Sequence, residues 1–185
     1  MIKDLNNNVV FENQFIRLEN NDVEFLNWEK WKYLRAYLNK EKRIKDGVVI
    51  LCINENDEFL FIKNYRYALD KNIWELPRWK YNNNEDAISW AKRELLEETW
   101  ISNIISSNYL WTTWSDTWII AWLADIVCLY LDSKDQSIKL QAEENIYDYD
   151  WFTLDKIKDF IKKEEIIDWY SQSAIFRYIL FKNDY

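Results

Sequence analysis

Residues Glu85, Arg93, Glu94, Glu97 and Glu98 concentrate four carboxylates and a guanidinium in one short stretch, "EDAISWAKRELLEE". On a helix, Glu94, Glu97 and Glu98 stand at i, i+3 and i+4 and share a face. Glu94 and Glu98 then repel by about 0.2–0.5 kcal/mol. Arg93 reaches Glu97 one turn on but does not neutralise three acids. A solvated acidic face is one reading. The other is a magnesium site, because a hard cation takes carboxylate oxygens and offsets their repulsion. Spacing alone leaves both open.

Other chemistries are closed off. The chain has no His, which removes Ser-His-Asp and Cys-His nucleophiles, His-ligated zinc and imidazole acid–base work. Any reaction rests on carboxylates, Lys, Arg, Tyr or a bound metal. A net charge of −8 argues against a nucleic-acid backbone as partner. Cys52 and Cys128 lie in apolar, strand-like runs, "GVVILCI" and "ADIVCLYL", and read as buried thiols of a reducing cytoplasm. The start "MIKDLN" lacks the apolar core of a signal peptide, and no run approaches a membrane span. A cytoplasmic protein with no membrane partner is the expectation.

The elements that must position the acids follow from pattern. At 185 residues and 49% hydrophobic, the chain suffices for one domain with a small appendage. Residues 8–27 read as two short strands around an Asn-Asn-Asp turn, and "KYLRAYL" as a third. "GVVILCI" and "EFLFIKNY" predict a hairpin across the polar turn 54–57, and "NIWELP" a short strand stopped by Pro77. Ile88, Ala91 and Leu95 repeat at helical spacing, predicting a helix over 85–99. "ADIVCLYLD" and "IYDYDWF" read as strands, Thr153 as the cap of a helix "LDKIKDFIKKE", and "SQSAIFRYILFK" as a closing helix. Strands on both sides of an early helix, then terminal helices, imply an α/β sandwich.

The segment from Trp79 to Ile101 resembles the Nudix box, G-x5-E-x7-R-E-U-x-E-E-x-G-U with U aliphatic. Glu85, Arg93, Glu94, Leu95, Glu97, Glu98 and Ile101 match in register, while Trp79 and Trp100 stand in the two glycine positions. The resemblance spans roughly 46–182 and is diagnostic over 73–101. It implies a Nudix-type mixed-sheet α/β/α sandwich over 46–185, with residues 1–45 as a small N-terminal antiparallel β extension that assembles a homodimer.

The tryptophans carry a second reading. Average composition puts glycine near ~7%, or roughly 13 in a chain of this length. Here there are 1 Gly and 12 Trp. Random drift does not aim at glycine positions. A UGA codon that the source reads as glycine, rendered as tryptophan, produces the pattern. Trp79, Trp100 and Trp169 fit this best, Trp169 because "IIDWYSQSA" is similar to the family's "DGF" before its last helix. Trp28, Trp31, Trp90, Trp111, Trp114, Trp118 and Trp122 come next, whereas Trp74 and Trp151 suit genuine tryptophan. The opposing reading is a diverged chain with twelve real tryptophans.

What the resemblance implies is metal-assisted attack of water on a nucleoside diphosphate linked to another group. Glu94, Glu97 and Glu98 become ligands of magnesium, with manganese as substitute, joined by the backbone carbonyl of Arg78. Glu97 and Glu98 then belong to the catalytic set, Arg93 orients the glutamates, and Glu85 holds the loop to the helix. "FIKNYRYALDKNIWELPRW" is similar to the ADP-ribose pyrophosphatase branch, which puts Arg66 near the substrate phosphates and predicts AMP and ribose 5-phosphate as products. In that branch a glutamate of a late loop is the general base, and "QAEENIYDYDWF" offers Glu143 and Glu144. The alternatives are another nucleotide substrate, a catalytically inactive nucleotide-binding module if Trp79 and Trp100 are genuine, and an interaction protein with an acidic surface.

Overall fold

The structure, a computed structural model, describes residues 2–39, 41–42, 44–81, 85–133, 138 and 146–183. It divides into two compact units, residues 1–46 with 114–123, and residues 47–113 with 124–185. The segment 114–123, part of the first unit, had no sign in the sequence.

The first unit is an antiparallel sheet of β1 (Lys3–Asp4), β2 (Val9–Glu12), β3 (Arg17–Glu24) and β4 (Lys30–Tyr37). Strand β3 pairs with each of the others. The expected Asn-Asn-Asp turn is therefore wrong: β3 runs straight through Asn20, Asn21 and Asp22. The side chains of Asn21 and Asp22 reach residues outside β3 instead of closing a turn. Asn21 Oδ1 accepts the Asn8 backbone N–H at 2.8 Å, and Asp22 accepts from Lys32 at 2.8 Å. Glu19, buried on β3, meets Arg17 at 2.7 Å and Lys42 at 2.5 Å. Ala36 binds the inserted segment through backbone bonds with Ile119 (2.9 Å) and Ala121 (2.8 Å).

In the second unit the strands are β5 (Lys45–Ile53), β6 (Phe59–Arg66), β7 (Lys71–Glu75), β8 (Arg78–Lys80), β9 (Ile104–Thr113), β10 (Leu123–Leu131) and β11 (Ile146–Phe152). Their order is β11-β6-β5-β10-β9, with β7 added to β6 and β8 to β5. The hairpin of β5 and β6 forms as expected, with Ile53 opposite Phe59. Strand β9 was not foreseen, because its polar, half-exposed sequence "IISSNYLWTT" lacks clean alternation.

Both faces of β5 are covered, which is why "VVILCI" is apolar without interruption. Val48, Ile50 and Cys52 pack with Trp90, Ala91, Leu95 and Ile101 on the side of helix α1 (Ala87–Thr99). On the opposite face Phe59 meets Tyr178 of α3 (Trp169–Asn183), and Phe152 meets Phe160 of α2 (Leu154–Lys162), with ring centroids 5.1 and 5.0 Å apart. Each large apolar side chain buried this way contributes about 1.5–3 kcal/mol. Among the described residues no helix is long and apolar enough to cross a membrane.

Candidate active site

Helix α1 is fixed at both ends and along one face, and so aims its acids. Asp86 caps the start, its carboxylate accepting from the backbone N–H groups of Ile88 and Ser89 at 3.0 Å each. Hydrogen bonds from the Ser89 hydroxyl and backbone hold that carboxyl below the usual range. Burial of Trp90, Ala91 and Leu95 sets the roll of the helix. At the far end Trp100 adopts the left-handed conformation, φ 65 and ψ 10, and returns its N–H to the Leu96 carbonyl at 2.9 Å. A non-glycine residue there costs about 1–2 kcal/mol.

With that roll, Glu94 and Glu98 are buried and Glu97 is exposed. Arg93 gathers the outer acids. Its guanidinium donates to Glu97 at 2.8 Å, to Glu94 at 3.1 Å and to Glu85 at 3.4 Å, while lying 4.1 Å from the centre of the Trp90 ring. The Glu97 hydrogen bond is the largest influence raising Arg93 above its ordinary basicity. Glu85 thus ties the residues before the helix to its second turn. Among the described residues no three acid or thiol side chains converge tightly enough to hold a metal ion by themselves. Magnesium does not require this: it retains several waters and takes one or two carboxylates plus substrate phosphates. A buried pair of carboxylates one turn apart, with a third at the rim, fits such an ion.

The residues before the box form a second charged cluster that the sequence reading missed. Glu75, buried on β7, accepts from Arg66 Nε at 3.0 Å and from Arg66 Nη2, and lies 4.0 Å from Arg78. Arg78 reaches Asp168 at 3.3 Å and stacks 4.6 Å from the Tyr170 ring. Burial pushes the Glu75 carboxyl above its usual range despite both guanidiniums. Asp168 also accepts from the Ser171 N–H and hydroxyl, and Ser171 Oγ receives the Leu76 N–H at 2.9 Å. The cluster therefore locks the strand end before Pro77 onto the start of α3. The signal available was Glu75 in "WELPR", an acid three residues before Arg78 and nine after Arg66.

Two anchors complete the surroundings. Trp79, on β8 opposite Val48, packs half-buried against the core under α1. Beyond it, the Tyr81 hydroxyl donates to the buried Asp125 at 2.8 Å, which also accepts from Thr112 at 2.8 Å and Tyr109 at 3.2 Å. Of the expected site residues, Glu85, Arg93, Glu94, Glu97 and Glu98 share this one region. Arg66 is engaged by Glu75, and Arg78 directs its side chain to Asp168. Glu143 and Glu144 lie outside the described residues.

Comparison with known proteins accords with this geometry. The NUDIX domain family matches residues 43–170. A methanol dehydrogenase activator of Bacillus methanolicus is 26% identical over 171 residues, covering 86% of this chain and 82% of that protein. An RNA pyrophosphohydrolase of Pelagibacter ubique (strain HTCC1062) is 34% identical over 61 residues, 33% of this chain and 37% of its own length. The crystal structure of an ADP compounds hydrolase superposes with a TM-score of 0.75 at 17% identity, over 99% of this chain and 95% of that one. A mixed sheet with three helices, a small N-terminal antiparallel sheet and the carboxylate helix in family register all agree: the chain belongs to the Nudix family.

Proposed function

We propose that the chain hydrolyses the diphosphate of ADP-ribose, or of a closely related nucleoside diphosphate sugar, in a magnesium-dependent reaction. The observation that carries the reading is the buried pair Glu94 and Glu98 on one stripe of α1, with Arg93 gathering Glu85, Glu94 and Glu97 beside it. Glu94, Glu97 and Glu98 would hold the metal together with the Arg78 carbonyl. When bound, magnesium supplies neutralisation of the diphosphate oxygens and polarisation of the attacking water.

The remaining work belongs to the chain. Arg93 keeps Glu94 and Glu97 from turning away, through three donors in a rigid fork. Glu143 or Glu144 takes the proton from water. Arg66, held by Glu75, presents its outer edge to the substrate phosphates. The choice of ADP-ribose rests on the segment "NYRYALDKNIWELPRW", and the whole-length likeness to an ADP compounds hydrolase agrees with it. The first unit leaves Val10, Phe11 and Phe15 exposed, which supports assembly of two copies through it.

The test is a substrate panel with magnesium, run on the chain as printed and on W79G/W100G. The panel holds ADP-ribose, a nucleotide sugar, a dinucleoside polyphosphate and RNA with a 5′-triphosphate. AMP and ribose 5-phosphate from ADP-ribose, abolished by EDTA, is the expected result. Preference for the RNA would favour the reading that the 61-residue match suggests. Tight nucleotide binding with no turnover in either chain would make this a binding module.

A further inference from the structure

We infer that residues 28, 79 and 100 are glycines in the working protein, and that the site region takes its intended geometry only with glycine there. Two left-handed backbone positions and one sequence register meet on this. Trp100 ends α1 in the left-handed region, where the αL cap calls for a residue without Cβ, and its indole is 59% exposed.

Trp28 repeats the pattern in the other unit, far from any box motif. The hairpin between β3 and β4 closes with Phe25 N–H on the Glu29 carbonyl at 2.9 Å and Trp28 N–H on the Phe25 carbonyl at 3.0 Å. Its loop is the three residues Leu26, Asn27 and Trp28, and Trp28 has φ 67. A three-residue hairpin loop places glycine at that last, left-handed position. The Trp28 indole is 79% exposed and so gains nothing by packing. The other left-handed positions are Asp57 and Asp70, a type that tolerates the region, and Lys42 and Glu164, which carry the Cβ penalty as the tryptophans do. The sign of φ therefore separates Trp28 and Trp100 only together with the hairpin and cap geometry. The single Gly47 has no positive φ.

Trp79 follows from register: it stands six residues before Glu85 as Trp100 stands two after Glu98. Packing does not separate Trp79, which lies against the core, from Trp74, whose ring is 5.0 Å from Phe152 and 5.4 Å from Lys63 Nζ; register alone does.

The deciding experiment does not depend on activity, so its outcome is separate from that of the hydrolase reading. Protein recovered from its source is cleaved at acidic residues and the peptides are weighed and sequenced by fragmentation, because 99–116 also carries Trp111 and Trp114. Peptides 25–29, 76–85 and 99–116 report positions 28, 79 and 100, with 71–75 and 151–155 as tryptophan-bearing references. Loss of the indolylmethyl mass at all three positions is expected; tryptophan at any of them overturns the inference. A second measurement uses recombinant chains. W100G should melt about 2–8 °C above the printed chain and above W100A, because alanine keeps the Cβ penalty. Equal melting of W100G and W100A overturns the backbone argument.

Discussion

Replacing Glu98 with glutamine separates a metal ligand from a structural acid, because the two readings predict opposite signs. The side chain is buried one turn from buried Glu94. Glutamine keeps its shape and hydrogen-bonding capacity but removes the charge. Without metal, relief of the i,i+4 repulsion should stabilise the fold by about 0.2–0.5 kcal/mol. At this chain length that raises the melting midpoint by about 1–2 °C.

With metal the sign reverses. Magnesium at a hundredfold excess over its dissociation constant stabilises the parent by about 2.7 kcal/mol, a rise of about 5–10 °C. E98Q should lose most of that rise. Turnover should fall about a hundredfold or more, since a metal ligand supports several kcal/mol of transition-state stabilisation. Paired melts in EDTA and in magnesium, with AMP release from ADP-ribose, read all three quantities. An E98Q protein that melts lower in EDTA, keeps its magnesium shift and turns over at the parental rate would refute the assignment.

The charged cluster behind the site gives further tests. Arg66→Met leaves the buried Glu75 short of its closest partner and should cost about 3–5 kcal/mol by urea unfolding, much of it recovered in the double variant with Glu75→Gln. Stability should also depend on Glu75 ionisation. The folded state holds that proton to higher pH than the unfolded chain, so the contribution is full below the ordinary value of 4.5 and is lost as pH rises through the raised value. Unfolding midpoints of E75Q should lack that decline. Cys52 and Cys128 are buried thiols, and burial pushes Cys128 up to about 12. A thiol reagent should therefore modify neither in the native protein and both on unfolding. A native reaction faster than global unfolding would contradict their burial.

Local pattern made part of this legible. Helix α1 was expected over 85–99 and begins two residues later, because Asp86 captures the first free N–H groups as cap. Thr153 caps α2 as its position before "LDKIK" suggested. The failures have a common cause, that the deciding partner is remote in sequence. Asn20-Asn21-Asp22 looks like a turn until Asn8 and Lys32 supply bonds from outside β3. Arg78 and Asp168 lie ninety residues apart. Strand β9 is a strand because β10 pairs with it, with Ala124 opposite Thr113, and its own residues argue weakly for it. The grip of Glu75 on Arg66 forms between the paired strands β7 and β6, which "WELPR" by itself does not show.

The same protein shows how it treats a buried carboxylate when stability is the aim. Glu19 meets two cations, Arg17 and Lys42, and Glu75 meets two, Arg66 and Arg78. On α1 the proportion inverts: Glu85, Glu94 and Glu97 all converge on the Arg93 guanidinium. Counting Glu98 as well, four acids and one arginine leave this stretch three charges negative. Helix capping and core packing hold the stretch in place, so its charge is not what folds it. On the proposed reading, a divalent cation held by Glu94, Glu97 and Glu98 would restore most of the missing balance. The imbalance is thus largest on the stretch proposed to take the ion and smallest where the scaffold has to be rigid, an arrangement that a merely solvated acidic face has no reason to adopt.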